Sequence, residues 1–135
     1  MPVFLLAGQS NMVGAGEVVA RPERNEGRGS LEHLVRAPET RERYAHLVDE
    51  EGGWVERDDV WISFFEREGR LSVGYGARED AIGPELGFGH VVGTRLKNQV
   101  LIIKVAWGGQ SLGRDFRPPG AGLPGKERQI GRAHV

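Results

Sequence analysis

Val3-Phe4-Leu5-Leu6-Ala7 is an unbroken apolar run that stops at Gly8, and it predicts a short strand buried on both faces of a parallel sheet. A second run of the same kind, Val100-Leu101-Ile102-Ile103-Lys104-Val105-Ala106, breaks at Trp107-Gly108-Gly109. Just before it the period changes. Phe88, Val91, Val92 and Leu96 recur at helical spacing behind Gly83-Pro84-Glu85, where proline and an acid in the first turn mark a helix start. Gly87, Gly89 and Gly93 inside that helix each cost up to about 1 kcal/mol relative to Ala, so close packing is expected to compensate. Leu31, Leu34 and Val35 share one helical face. Tyr44, Leu47 and Val48 share another, with Pro38 at its helix start and Gly52-Gly53 past its end. Val60 to Phe65 and Leu71 to Tyr75 are rich in strand formers, and Glu66 to Arg70 between them resembles a hairpin connection. From Arg117 onward Pro and Gly dominate and the periodicity is lost. Strand, insertion, helix, strand is the opening of a parallel α/β sheet.

Composition narrows the class. A chain of 135 residues with 39% hydrophobic content is the size of one ordinary domain. The 18 Lys+Arg nearly balance the 19 Asp+Glu, which argues against a nucleic-acid or anionic-membrane partner. There is no cysteine, so disulfides, thiolate metal sites and cysteine nucleophiles are excluded. No apolar run approaches the roughly 20 residues of a membrane helix, and neither a membrane anchor nor a signal peptide is expected within these residues. Of the 37 charged residues, 25 fall between Arg21 and Asp80, which reads as a solvated insertion or covering layer over about 21–80.

In open α/β sheets ligands bind beyond the carboxyl ends of the strands. Both apolar runs end there in small, polar loops, Gly8-Gln9-Ser10-Asn11-Met12 and Trp107-Gly108-Gly109-Gln110-Ser111-Leu112. Ser10 stands where a nucleophilic hydroxyl can be exposed, with backbone amides near a developing oxyanion; its competing role is a helix N-cap. Gly108 and Gly109 leave room for a second amide. Trp107 is placed to stack on a ligand ring or to anchor the core, and Arg114 and Asp115 to bind polar groups of a ligand or to form an ion pair or turn. Asp58-Asp59 and Glu79-Asp80 read as solvated turn charges. Gly120 to Gly125 fits a GxGxxG loop, but no strand precedes it and Pro124 interrupts it; with Lys126 it approaches a P-loop, where Glu127 replaces the required hydroxyl. No His/Asp/Glu cluster has metal-ligand spacing, and no cofactor is expected.

Three segments, Val3 to Met12 (VFLLAGQSNM), Gly83 to Gly89 (GPELGFG) and Lys104 to Leu112 (KVAWGGQSL), resemble the SGNH-hydrolase superfamily, specifically its sialate O-acetylesterase-like and acetylxylan esterase-like carbohydrate esterases. The resemblance implies a three-layer α/β/α, flavodoxin-like parallel sheet and serine-dependent removal of acetyl groups from sugars. It implies Ser10 as nucleophile, with oxyanion donors at Ser10, Gly108 and Gly109. Gln9, Asn11, Trp107 and Gln110 are the candidate substrate contacts, and an acetylated carbohydrate is the implied partner. Export is suggested by the family alone.

The departures are specific. The Gln-Gly-Glu motif that brings a third oxyanion donor and the Asp-x-x-His that brings the base are both missing from these 135 residues. His33 and His46 lie on charged amphipathic segments and read as surface residues, and His90 as a packed residue of the glycine-rich helix. His134 belongs to Ile130 to Val135, a hexapeptide that a common sequencing-library adapter encodes. Residues 1–129 are therefore expected to be the N-terminal part of one esterase domain, with 130–135 a non-native tail and the sheet incomplete at its C-terminus. Two rivals remain: a non-catalytic glycan-binding or interaction module on the same scaffold, and a nucleotide-binding flavodoxin-like domain.

Overall fold

A computed structural model of the chain describes residues 1–109. The first apolar run forms β1 (Val3–Gly8), which passes through Gln9 into the single turn α1 (Ser10–Val13) and the short strand β2 (Gly16–Glu17). Three short helices follow, α2 (Pro22–Asn25), α3 (Leu31–Arg36) and α4 (Arg41–Tyr44), the last continuing as a 3-10 turn over Ala45–Leu47. Then come β3 (Arg57–Phe64), β4 (Arg67–Leu71), β5 (Ala81–Ile82), α5 (Pro84–Leu96) and β6 (Val100–Ala106).

The main sheet runs β1-β6-β3-β4, with β1, β6 and β3 parallel and β4 antiparallel at the edge. β2 and β5 form a separate two-stranded ladder. The expected α/β architecture with a mostly parallel sheet is present. α5 lies on the face carrying Val60, Ile62 and Ile102, which form the core with Leu71, Leu86 and Val100, and Leu31 and Leu47 close it from the charged stretch. Phe4 meets Phe88 of α5 edge to face at 5.3 Å. The glycine cost in α5 is compensated as the close-packing argument requires: a Cβ at Gly89 would lie 2.2 Å from Leu71 Cδ2.

Three local expectations change. The charged stretch is more than a covering layer, since β3 and β4 within it are strands of the main sheet. The hairpin connection is two residues, Phe65-Glu66, because Phe64 pairs with Arg67, so most of the charged segment is edge strand. An edge strand tolerates charges that a central strand would not. The helix expected after Pro38 begins only at Arg41 and is short: Val48 bridges to Trp54, and Asp49 Oδ1 accepts from the amides of Glu51 and Gly53, turning the chain back. The outer layer of a three-layer sandwich is not supplied by residues 1–109, and Val3, Leu5, Trp61 and Ile103 on that face are exposed.

Candidate active site

The parallel register pairs Gly8 with Ala106, so the loops that follow β1 and β6 leave the sheet as neighbours, one strand spacing of roughly 4.8 Å apart. Ser10 lies two residues past the first strand end and Gly108 two residues past the second. This brings together Gln9, Ser10, Asn11, Trp107, Gly108 and Gly109 at one end of the sheet. Gln110, Arg114, Asp115 and His134 lie outside the described residues.

Ser10 is the first residue of α1, and the cap position belongs to Gln9, whose carbonyl accepts from Val13 N–H at 2.9 Å. No side-chain cap bond is made, so the Ser10 hydroxyl is not engaged as a helix cap. Ser10 and Asn11 are exposed. Gln9 Oε1 is buried without a hydrogen-bond partner among the described residues, leaving an unused acceptor beside the serine. Gly109 has φ +73°, in the left-handed region where a side chain would strain the turn. The Trp107 ring lies 5.7 Å from that of Phe65, an exposed residue at the hairpin tip with φ +54°.

No described histidine reaches this end. His33 lies in α3 and is half-buried; His46 is exposed in the 3-10 turn. His90 is buried in α5, 3.4 Å from Arg57 Nη1 through Nδ1 and 5.1 Å from the His46 ring. Arg57 is the first residue of β3, at the opposite end of the sheet from Ser10. Because a guanidinium only donates, Nδ1 is the acceptor and the ring proton sits on Nε2, which is buried with no hydrogen-bond partner among the described residues. Burial, with Arg57 and His46 nearby, pushes the His90 pKa down to about 4. Beside it a hollow of about 300 Å³ is lined by His46, Arg57, Val91, Thr94 and Arg95. Packing, as expected, describes His90. Asp59, read as a turn charge, lies in β3 and holds Arg57 through two hydrogen bonds of 2.7 and 2.8 Å. That guanidinium keeps the Asp59 carboxyl below the usual range. Asp80 is bonded by Arg21 and Arg78 in a turn.

One feature escaped the pattern reading. Lys104, in the second apolar run, is buried and ion-paired with Glu85, the acid of the Gly-Pro-Glu turn. The signal was present as a charge within a buried strand, which demands partners, but those partners are distant in sequence. Among the described residues no group of three or more metal-ligating side chains is assembled, and no helix is long and apolar enough to cross a membrane.

The family model described as carbohydrate esterase, sialic acid-specific acetylesterase, matches residues 1–129. A solved X-ray structure of an Arabidopsis thaliana protein is similar at 16% identity and a TM-score of 0.49, covering 98% of this chain and 50% of that one. The chain thus spans half the length of that structure. No curated protein is significantly similar to it.

Proposed function

The chain belongs to the sialic acid-specific acetylesterase family of carbohydrate esterases, and on that premise we propose that Ser10 is the nucleophile of an O-acetyl sugar esterase. The observation that carries the reading is the register of β1 with β6, which sets the exposed Ser10 beside the Gly108-Gly109 turn. In the proposed reaction Ser10 Oγ bonds to the acetyl carbon and its proton passes to a base. The amides of Ser10 and of Gly108 or Gly109 hold the oxyanion, and the carbon–oxygen bond to the sugar breaks with the sugar hydroxyl leaving protonated. Water then attacks the acetyl-serine and acetate departs. The substrate class is an acetylated sugar of the sialic acid or xylan type. Gln9, Asn11, Trp107 and Gln110 are its proposed contacts.

The sequence has no Asp-x-x-His, and the described histidines lie elsewhere. Without that base the oxyanion donors and binding alone leave roughly 10³–10⁴ over water, so this chain is proposed to turn over slowly. The test compares the chain with Ser10→Ala on p-nitrophenyl acetate and on acetylated xylo-oligosaccharide, with mass spectrometry for acetyl-serine. An esterase shows an adduct on Ser10 and loses its acetate release in Ser10→Ala. Equal release by both proteins overturns the reading. If neither protein releases acetate and both bind the oligosaccharide equally, the family scaffold serves as the glycan-binding module instead.

A further inference from the structure

Lys104 sits in the middle of β6 with its side chain wholly buried, and so does Glu85 near the start of α5. An ammonium in such surroundings is costly unless its protons are used. All three are. Nζ donates to Glu85 Oε1 at 2.5 Å, to Tyr75 O at 2.7 Å and to Val13 O at 2.8 Å, and it lies 4.6 Å from the centre of the Phe64 ring. The other carboxylate oxygen of Glu85 accepts from Gly83 N–H at 2.9 Å. One buried pair therefore fastens the Gly-Pro-Glu turn, the segment around Tyr75 and the last residue of the helical turn that Ser10 begins.

The surroundings show why that turn needs fastening. α1 holds only two backbone bonds with its flanks, Val13 N–H to Gln9 O and Gly14 N–H to Ser10 O. Gly14 then presses against the Gly-Pro-Glu turn so closely that a Cβ there would lie 2.1 Å from Gly83 Cα, and its carbonyl accepts from Ala77 N–H at 2.7 Å. Stability alone is a weak reason for such a pair, since apolar side chains of similar volume often replace a buried ion pair at no cost. Two of the three acceptors, however, are carbonyls that no apolar side chain can hold.

We infer that Lys104 is a positioning residue for Ser10, with Glu85 fixing the ammonium so that it holds the Val13 carbonyl and hence the Ser10–Gly14 turn against the Gly-Pro-Glu turn. This rests on Ser10 being the nucleophile. The pair does not touch the reacting atoms; it sets where the hydroxyl and amide of Ser10 stand.

The test uses the full chain carrying Lys104→Met together with Glu85→Leu, which removes both charges and leaves no buried carboxylate behind. Three readouts are compared with the parent: the urea midpoint, amide hydrogen exchange by residue, and the rate at which p-nitrophenyl acetate acetylates Ser10. The double variant should still unfold cooperatively, at a lowered midpoint, since the Val13 and Tyr75 carbonyls and the Gly83 N–H lose their partners. The Val13, Gly14 and Ala77 amides should exchange roughly ten- to a hundredfold faster while those of β6 and β3 stay put, because the bonds to charged groups that are lost lie at Val13, Tyr75 and Gly83 and not in the sheet ladder. Acetylation of Ser10 should slow in step. Unchanged exchange at those three amides, a uniform rise across the sheet, an unfolded double variant, or acetylation at the parent's rate would each overturn the inference. Should Ser10 fail to be acetylated in the parent itself, the esterase reading fails, and the exchange data still decide whether Lys104 holds the turn.

Discussion

The two faces of the main sheet are built from the same apolar strands and differ in what covers them. On the helix side Ile62 and Ile102 have no exposed surface; on the other, Val3 and Leu5 of β1 are 54% and 66% exposed. The alternation follows from the pleat, which sends Phe4 and Leu6 toward α5 and Val3 and Leu5 away from it. An all-apolar parallel strand is a pattern for burial on both faces. The comparison teaches that sequence pattern states how much surface a strand is suited to bury, whereas the packed elements determine how much is buried. An exposed apolar face beside β1, the edge strand of the sheet among the described residues, is a surface that seeks company.

The sharpest way to break this comparison is to truncate one side chain on each face. Ile102→Ala should cost about 2–5 kcal/mol, since it removes buried methyl groups and leaves a cavity between Leu71 and α5. Leu5→Ala should stay within about 0.5 kcal/mol. Urea denaturation of both variants checks the pair, and equal losses would mean that the outer face is covered in solution.

Acid separates the faces next, because the covered side contains a histidine that must stay neutral. With a folded pKa near 4 against 6.5, the unfolded chain binds the proton more readily, so stability rises with pH between those values. The contribution of His90 is complete above pH 6.5 and is lost as the pH falls toward 4, by up to about 3 kcal/mol. Unfolding midpoints across that window should slope in the parent and flatten in His90→Gln. A parent with no slope would contradict the buried, neutral ring.

The open face is tested by its association rather than its stability. The parent should self-associate in light scattering at concentrations where Leu5→Lys, which puts a charge on the exposed side of the edge strand, is less associated. A monodisperse parent that unfolds cooperatively would show that the apolar face is tolerated as it stands.

What the amino-acid pattern revealed follows the range of the interactions involved. β1, α5 and β6 are legible because their signals are local: a run, a proline, a spacing. The loops after β1 and β6 could be named as neighbours because parallel strands carry their ligands at one end. The hairpin was misdrawn because Arg67, Glu68 and Arg70 look like a turn, while the structure uses Arg67 to hold the carbonyls of Gly74 and Gly76 from an edge strand. Lys104 passed as one residue of a buried strand and not as a clamp, since two of its acceptors are backbone carbonyls and leave no mark on side-chain chemistry. The placement of Ser10 with Gly108 was open to inference; the fastening behind it required coordinates.

The smallest expected effect concerns the helix that makes the covered face what it is. α5 ends at Leu96 and is capped by Lys97, which adopts φ +51° and sends its N–H to Gly93 O at 3.4 Å. Glycine takes that left-handed conformation without the crowding a Cβ brings, and it is the residue most enriched just past helix ends. Lys97 is exposed and makes no ion pair among the described residues, so Lys97→Gly exchanges backbone strain against the larger freedom of glycine in the unfolded chain. The strain term should prevail, raising stability by no more than about 1 kcal/mol in urea denaturation. The same substitution at Thr94, inside the helix, should instead destabilise, since glycine there gives up helix propensity and the hydroxyl that accepts from Arg57 Nη1 at 3.1 Å, without relieving a left-handed residue. If both changes lower the midpoint alike, the close of α5 over the sheet does not depend on its left-handed end.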